Sequence, residues 1–364
     1  MALQKIELVL LLQDLEFGGT QRYAVQLLKH LDRQRFRPSL WVLRGGEDMA
    51  PLVRETGVEP VWLSRSDRVS PTALSRLWRR LRTSRPGILY TLTVVPNIWG
   101  RILGRLAGTP AVVSGYRSLY PKQYDRWLWP LCRRIICNAR ALEEIMIRRC
   151  HVPAGRIAVI PNAVDSEAFF PAPDLRAAEP TVLFVGRLVP DKDPLTLLGG
   201  LKRVAEKVPQ VRFLIVGQGP LTSQVSDFLK VHGLAERTTR VPGAADPRPY
   251  LQQAWVLALP SVREASPHVI IEAMASGLPV VASRVGGIPE LVVEGPEGTG
   301  LLVPPRNPEA LAAALVQLLE NNHLCQEMGQ RARQRAIARH APPDMVRRTE
   351  EVLLAVAREA GLAD

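Results

Sequence analysis

The sequence predicts an α/β protein of two doubly wound domains facing a cleft, and three observations carry that prediction. A chain of 364 residues is more than one core usually organises, at ~100–200 residues per domain. Short apolar runs alternate with longer amphipathic stretches along its length, the rhythm of strands separated by helices in parallel sheets. The rhythm breaks at Phe169-Phe170-Pro171-Ala172-Pro173 and the Ala- and Glu-rich residues up to Pro180, then restarts. This stretch reads as the linker and sets the expected domains at 1–170 and 171–343.

Residues 6–12 read as a buried strand, and Gly18-Gly19 as the turn after it. Residues 21–31 place Ala24, Leu27, Leu28 and Leu31 at helical spacing. Strands follow at 38–43, 88–93 and 111–114, with a helix over 97–106 that Gly108 ends. Strands at 135–138 and 157–160 close the first half. Beyond the linker come a strand at 181–185, a helix at 194–206, a strand at 211–216 and a helix at 221–231. Strands at 256–259, 280–282 and 301–303 continue the series. Gly199-Gly200 within the second half's first helix opposes helix propensity, and the sequence alone supplies no reason for it.

Composition excludes several classes. The chain is 46% hydrophobic and 23% charged, with mean hydropathy near zero, which is ordinary for a globular protein. Cys132, Cys137, Cys150 and Cys325 form no Cys-x-x-Cys pair, so neither a zinc ribbon nor a disulfide framework is expected. They read as reduced thiols of a cytoplasmic protein. Glu7 interrupts the first apolar run and no small-residue cleavage site follows, so the start reads as a strand rather than a signal peptide. No run approaches the ~18 apolar residues of a membrane span. The net charge of +12 is unevenly placed: residues 1–170 hold 26 basic and 14 acidic residues, and the remainder 21 of each.

The chemistry concentrates in the second half. Gly186-Arg187 leaves an apolar strand and Lys192 follows five residues later. Ligands of open α/β sheets lie beyond the carboxyl ends of the strands, so two cations there suit a diphosphate. Asp191-Lys192-Asp193 spells an Asp-x-Asp metal pattern, but Asp193-Pro194 reads more simply as an N-cap and first helical residue, and no metal or cofactor is expected. Gly217-x-Gly219-Pro220 is part of a glycine-rich phosphate turn, with Thr222 where a third glycine would complete it. A tight strand-to-helix turn and direct ligand contact both remain open for it. Glu264 follows the strand at 256–259. Ser266-Pro267 reads as N-cap and first residue of a helix over 267–276, which Gly277 and Pro279 end. Amides of His268, Val269 and Ile270 at that helix start, Pro267 having none, favour an anion, with Glu264 and Glu272 flanking it to bond sugar hydroxyls.

These motifs stand in a familiar order: Gly18-Gly19, Asn162-Ala163-Val164-Asp165, Gly186-Arg187 with Lys192, and Gly217-x-Gly219-Pro220. Glu264 then lies eight positions before Glu272-Ala273-Met274-Ala275, with Gly277-x-Pro279, Gly286-Gly287 and Gly300-Leu301-Leu302-Val303-x-Pro305 following. The chain resembles the retaining family-4 glycosyltransferases (glycosyl transferases group 1), of GT-B architecture. The resemblance spans nearly the whole chain and is most specific in the second half. It implies that Arg187 and Lys192 hold the donor diphosphate. It likewise implies that Glu264 and the backbone after it hold the transferred sugar, and that Glu272 holds the ribose. Gly18 and Gly19 would let the first loop approach the donor phosphates or the acceptor, Gly186 would approach the donor, and 241–245, starting at Val241, would lie by the nucleobase. A last helix, 344–364, would cross back to the N-terminal domain. The sequence departs from relatives that carry histidines after two N-terminal strands, reading Tyr90-Thr91-Leu92-Thr93 and Ser114-Gly115-Tyr116-Arg117-Ser118. Arg117 is therefore a candidate active-site group.

The expected activity is transfer of a sugar, with retention, from a nucleoside diphosphate sugar to a lipid-linked or polysaccharide acceptor. A UDP-hexose is favoured and GDP-mannose stays open. The alternatives are an epimerase or phosphorylase on the same fold, or a non-catalytic membrane adaptor. Arginines and aromatic residues interleave across 65–149, which suits peripheral contact with an anionic membrane on its cytoplasmic face. No nucleic-acid motif supports the other generic reading of a basic chain.

Overall fold

A computed structural model describes residues 5–119, 121–243 and 246–363, and the chain divides into two compact units. The first comprises residues up to Ala163 together with Pro342 onward, the second Val164–Ala341. The chain thus crosses between units at 163/164, before the expected 170/171. Val164 belongs to the second unit's core and Phe169 packs against it. The Pro-rich stretch expected as a tether is itself folded onto the second unit. There Ala177 N–H donates to the Gln253 carbonyl at 3.0 Å, the Trp255 indole donates to the Ala177 carbonyl at 2.8 Å, and the Arg176 guanidinium lies 4.3 Å over the Trp255 ring.

In the first unit the elements run β1 (Ile6–Leu12), α1 (Gly19–His30), β2 (Phe36–Val42), α2 (Ala50–Glu55), β3 (Val61–Trp62), α3 (Pro71–Ser84) and β4 (Ile88–Thr91). A π-helical turn, Pro96–Gly100, leads into α4 (Arg101–Leu106) where one regular helix was expected. Then come β5 (Ala111–Tyr116), α5 (Asp125–Leu128), β6 (Arg134–Cys137), α6 (Arg140–Cys150) and β7 (Ile157–Val159). The sheet is parallel in the order β3-β2-β1-β4-β5-β6-β7. Helices cover both faces, which is why β1, β4 and β5 are almost wholly apolar rather than alternating. The C-terminal helix Pro342–Glu359 contributes Met345, Val346, Leu353, Val356 and Ala357 to this same core. Its Thr349 hydroxyl lies 3.2 Å from Tyr23 Oη, which also meets Tyr90 Oη at 3.0 Å.

The second unit runs β8 (Thr181–Val185), α7 (Pro194–Lys207), β9 (Arg212–Val216), α8 (Thr222–Val231), β10 (Thr238–Val241), α9 (Arg248–Gln253) and β11 (Val256–Leu259). It continues with α10 (His268–Ala275), β12 (Val280–Ser283), α11 (Ile288–Leu291), β13 (Gly300–Val303), α12 (Pro308–Glu320) and α13 (Asn322–Arg339). Its parallel sheet has the order β10-β9-β8-β11-β12-β13. The glycine pair in α7 now has a cause. A Cβ at Gly199 would crowd Pro308, and one at Gly200 would crowd Leu311. Both neighbours belong to α12, so the glycines give up helix propensity for close helix contact. All four cysteines are buried, free thiols.

Candidate functional site

The strand order of the second unit decides where its site lies. From β8 the chain builds outward through β9 and β10, then returns to place β11 on the opposite side of β8. The carboxyl ends of β8 and β11 therefore flank a topological switch point, where open α/β sheets bind ligands. Both segments leaving those ends carry residues predicted from sequence.

After β8 the chain passes Gly186 and Arg187 into a 3₁₀ turn, Pro190–Lys192. Two hydrogen bonds tie this loop to the one after β9: Gly186 N–H to the Val216 carbonyl and Leu188 N–H to the Gln218 carbonyl, both 3.0 Å. The approach is too close for side chains. A Cβ at Gly217, whose φ is +147°, would overlap the Gly186 carbonyl oxygen, and one at Gly219 would overlap that of Leu188. Thr222, where a third glycine would complete the fingerprint, accepts from Gly219 N–H through its hydroxyl at 3.0 Å. The glycine-rich turn is thus a packing device that seats the 186–192 loop. Val241 joins the same edge, its carbonyl accepting from Gly217 N–H at 2.8 Å. Ala244 and Ala245 lie outside the described residues, as does Tyr120.

After β11 the chain turns through Ser261 to Glu264. Val262 N–H donates to the Asp191 carbonyl at 2.9 Å, and Gly287 N–H to the Glu264 carbonyl at 3.1 Å. Lys192 and Glu264 are thereby brought into direct contact, Nζ to Oε1, with side chains 21% and 12% exposed. The Ser261 hydroxyl donates to the same Oε1 at 2.9 Å. Arg187 is exposed, and its guanidinium has no hydrogen bond or ion pair among the described residues. Asp193 is occupied elsewhere. It caps α7, accepting from Thr196 N–H at 3.2 Å and from the Thr196 hydroxyl at 2.7 Å, the role its sequence context predicts.

The helix carrying Glu272 begins one residue later than expected. Pro267 has ψ 123°, so it is the N-cap and α10 starts at His268. Ser266 precedes a proline and so is biased to extended backbone; it is not the cap. The Ile270 amide also donates to the Pro267 carbonyl at 3.2 Å, which leaves the helix-start amides of His268 and Val269 at the expected position. Glu272, one turn on, is buried. Gly277 ends the helix with φ +76°, and Leu278 N–H closes back to the Ala273 carbonyl at 2.9 Å.

The remaining predicted residues belong to the first unit. Gly18 is the N-cap of α1 and makes no side-chain cap bond. A Cβ there would press on Gln21, whose side-chain amide donates to Asp14 Oδ1 at 2.9 Å. Asp14 in turn accepts from Arg44 at 2.7 Å. Arg117, leaving β5, does not stand free. Its guanidinium carbon lies 3.1 Å over the Tyr23 ring, and Nη1 donates to Asn162 Oδ1 at 2.6 Å. Sequence reasoning missed Ser261, Asp14 and Arg44. Their spacing has no period to reveal them, and only the meeting of loops from separate strands gives them partners.

Residues 165–335 match the family glycosyl transferases group 1, and residues 17–168 match glycosyltransferase family 4. The chain is 28% identical to UDP-Gal:alpha-D-GlcNAc-diphosphoundecaprenol alpha-1,3-galactosyltransferase of Escherichia coli, over 84% of this chain and 86% of that protein. It is 36% identical to D-inositol 3-phosphate glycosyltransferase of Mycobacteroides abscessus, an alignment covering 51% of this chain and 44% of the other. A crystal structure of Anabaena HepE in complex with UDP-glucose superposes with a TM-score of 0.85 at 21% identity, over 96% of this chain and 100% of that one. The protein is therefore a glycosyltransferase of the GT-B type with a nucleotide-sugar donor. More narrowly, it belongs to glycosyltransferase family 4.

Proposed function

We propose that the chain transfers a hexose from its UDP-linked donor, with retention and without a metal, to a lipid-linked acceptor at the cytoplasmic face of a membrane. The observation that carries the donor half is the Lys192–Glu264 contact at the switch point between β8 and β11. An ammonium has three donors. One is committed to Glu264, and the other two are available to diphosphate oxygens. Arg187, uncommitted, adds a planar fork of donors. The helix-start amides of His268 and Val269 favour the same anion. As the bond to the anomeric carbon breaks, negative charge grows on the diphosphate, and cations already in place stabilise it without reorganising. Glu264 receives sugar hydroxyls and Glu272 the ribose. UDP as the nucleotide is supported by the relatives whose names carry it.

A thermal-shift panel of UDP, GDP, UDP-glucose, UDP-galactose, UDP-N-acetylglucosamine and GDP-mannose tests the donor. At a hundredfold excess over Kd, a ligand of the native state adds about 2.7 kcal/mol. UDP and one UDP-sugar should raise the melting temperature well above the GDP pair. A larger shift with GDP-mannose than with any UDP-sugar overturns the UDP reading.

Charge supports the membrane half. From Arg68 to Tyr124 there is no Asp or Glu. Helix α3 buries Ala73, Leu77 and Leu81 and carries Arg76, Arg79, Arg80 and Arg82. Three guanidinium groups stack on tryptophans: Arg82 on Trp78 at 5.2 Å, Arg80 on Trp41 at 5.1 Å and Arg65 on Trp62 at 4.9 Å. Trp127 on α5 is 69% exposed. No helix among the described residues is long and apolar enough to cross a membrane, so contact is peripheral in this reading. Vesicles containing phosphatidylglycerol should sediment the protein at low salt and release it at high salt. Neutral phosphatidylcholine vesicles should not. Equal recovery with both lipids removes the electrostatic argument.

A further inference from the structure

Ser261 is fully buried, yet none of the donor contacts above uses it. It lies two residues beyond β11, and the adjacent Val262 amide is tied to the Asp191 carbonyl at 2.9 Å, so its hydroxyl is held on fixed backbone. That hydroxyl and the Lys192 ammonium both donate to a single oxygen of Glu264, Oε1. Oε2 has no hydrogen-bond partner among the described residues. We propose that Ser261 is a positioning residue, which with Lys192 pins Glu264 by Oε1 and reserves Oε2 as the acceptor for a hydroxyl of the donor sugar. The inference rests on the reading of Glu264 as the sugar-binding carboxylate.

The physical case is one of division of labour. Lysine is a compact charge on a flexible stem, so it attracts the carboxylate without fixing its direction. A buried hydroxyl on a strand exit supplies the direction. A carboxylate is an acceptor only, and two donors on one oxygen leave its partner to whatever enters the site. Its rotamer is then settled before the sugar arrives, which lowers the ordering cost of binding. The arrangement also dictates what Glu264→Gln does. With Lys192 and Ser261 both demanding an acceptor at the inner position, the amide oxygen turns inward. The NH₂ then occupies the Oε2 position. The group presented to the sugar changes from acceptor to donor, so Glu264→Gln should lose as much sugar recognition as Glu264→Ala.

The test uses the full chain and calorimetric titration with the nucleotide sugar giving the largest shift in the panel above, paired with its free nucleoside diphosphate. In Ser261→Ala the Kd of the nucleotide sugar should rise about tenfold, the scale of a lost hydrogen bond to a charged group. The Kd of the free diphosphate should stay unchanged. In the Glu264→Ala background, Ser261→Ala should have no further effect, since the serine acts only through the carboxylate. If Ser261→Ala changes neither ligand while Glu264→Ala weakens the nucleotide sugar, the role of Glu264 stands and that of Ser261 is overturned. Equal weakening of both ligands by Ser261→Ala marks a general disturbance of the loop and overturns it as well. If Glu264→Ala leaves the nucleotide sugar unaffected, the underlying reading of Glu264 fails, and the inference with it.

Discussion

Replacing Asp125 with alanine is expected to destabilise the protein by about 3–5 kcal/mol, the usual cost of removing one partner of a buried ion pair. Arg101 is completely buried and Asp125 is 3% exposed. The carboxylate accepts from Arg101 Nη2 at 2.6 Å, from the Tyr116 hydroxyl, and from Lys122 N–H at 2.8 Å. Burial raises the Tyr116 phenol well above its ordinary range, against the pull of Arg101 and with Asp125 adding to the rise, so it stays a neutral donor. Among the described residues Arg101 has no second acid to turn to. Its Nε is committed to the Asn97 carbonyl, and its Nη1 has no hydrogen-bond partner among the described residues. Asp125→Ala would leave that charge in the interior beside two orphaned donors. Urea unfolding followed by tryptophan fluorescence measures the loss as a lowered midpoint. A double variant, Arg101→Met with Asp125→Leu, should recover most of it, because apolar side chains of similar volume avoid the desolvation cost. A midpoint within experimental error of wild type for Asp125→Ala would remove the argument. The pair also anchors the chain that leaves β5 and carries Arg117, Lys122 and Trp127, so loosening it should reduce vesicle binding at the same time.

The Arg101–Asp125 pair shows why part of the molecule was illegible in the sequence. Strands announce themselves through local pattern. Ile6–Leu12, Thr181–Val185 and Val256–Leu259 lie where their apolar runs place them, because a strand covered on both faces must be apolar throughout. Caps are local too, and Asp193 before Pro194 was readable for that reason. Arg101 looks like any helical surface arginine until α5, 24 residues away, supplies its counter-charge. The glycine pair in α7 is explained only by α12, more than a hundred residues on. In the site, Lys192 and Glu264 were each legible from their positions past strands. Their contact follows from the order β9-β8-β11-β12, which brings together loops that are distant in sequence. Ser261 had no signal of its own, since a serine three residues before a glutamate is unremarkable until both face one lysine. Ser266 misled because Ser-Pro is a cap pattern, whereas the extended ψ of Pro267 moves the helix start past it.

Lys192→Ala is expected to lower turnover of the preferred nucleotide sugar by 10²–10³-fold, about 2.7–4 kcal/mol of transition-state stabilisation. Two losses combine in that figure. The first is the charge itself. The diphosphate gains negative charge as it departs, and a cation four-fifths buried acts through less screening solvent than an exposed one. The second is the hold on Glu264, which is left with the Ser261 hydroxyl as its single donor and is no longer drawn toward the 186–192 loop. Arg187→Ala should cost less, because Arg187 is exposed and water partly replaces it. Lys192→Arg should not restore activity, since a planar guanidinium spreads its donors over a larger fork than the compact ammonium and must fit beside a carboxylate that is already bonded. Initial rates of nucleoside diphosphate release across the three variants separate these contributions. The expected order of activity is wild type, Arg187→Ala, Lys192→Arg, then Lys192→Ala. Wild-type turnover in Lys192→Ala would mean that the diphosphate is held elsewhere and that Glu264 keeps its place without the lysine. The ordering matters more than any one rate, because it tells a cation that stabilises the leaving group from one that merely neutralises a carboxylate.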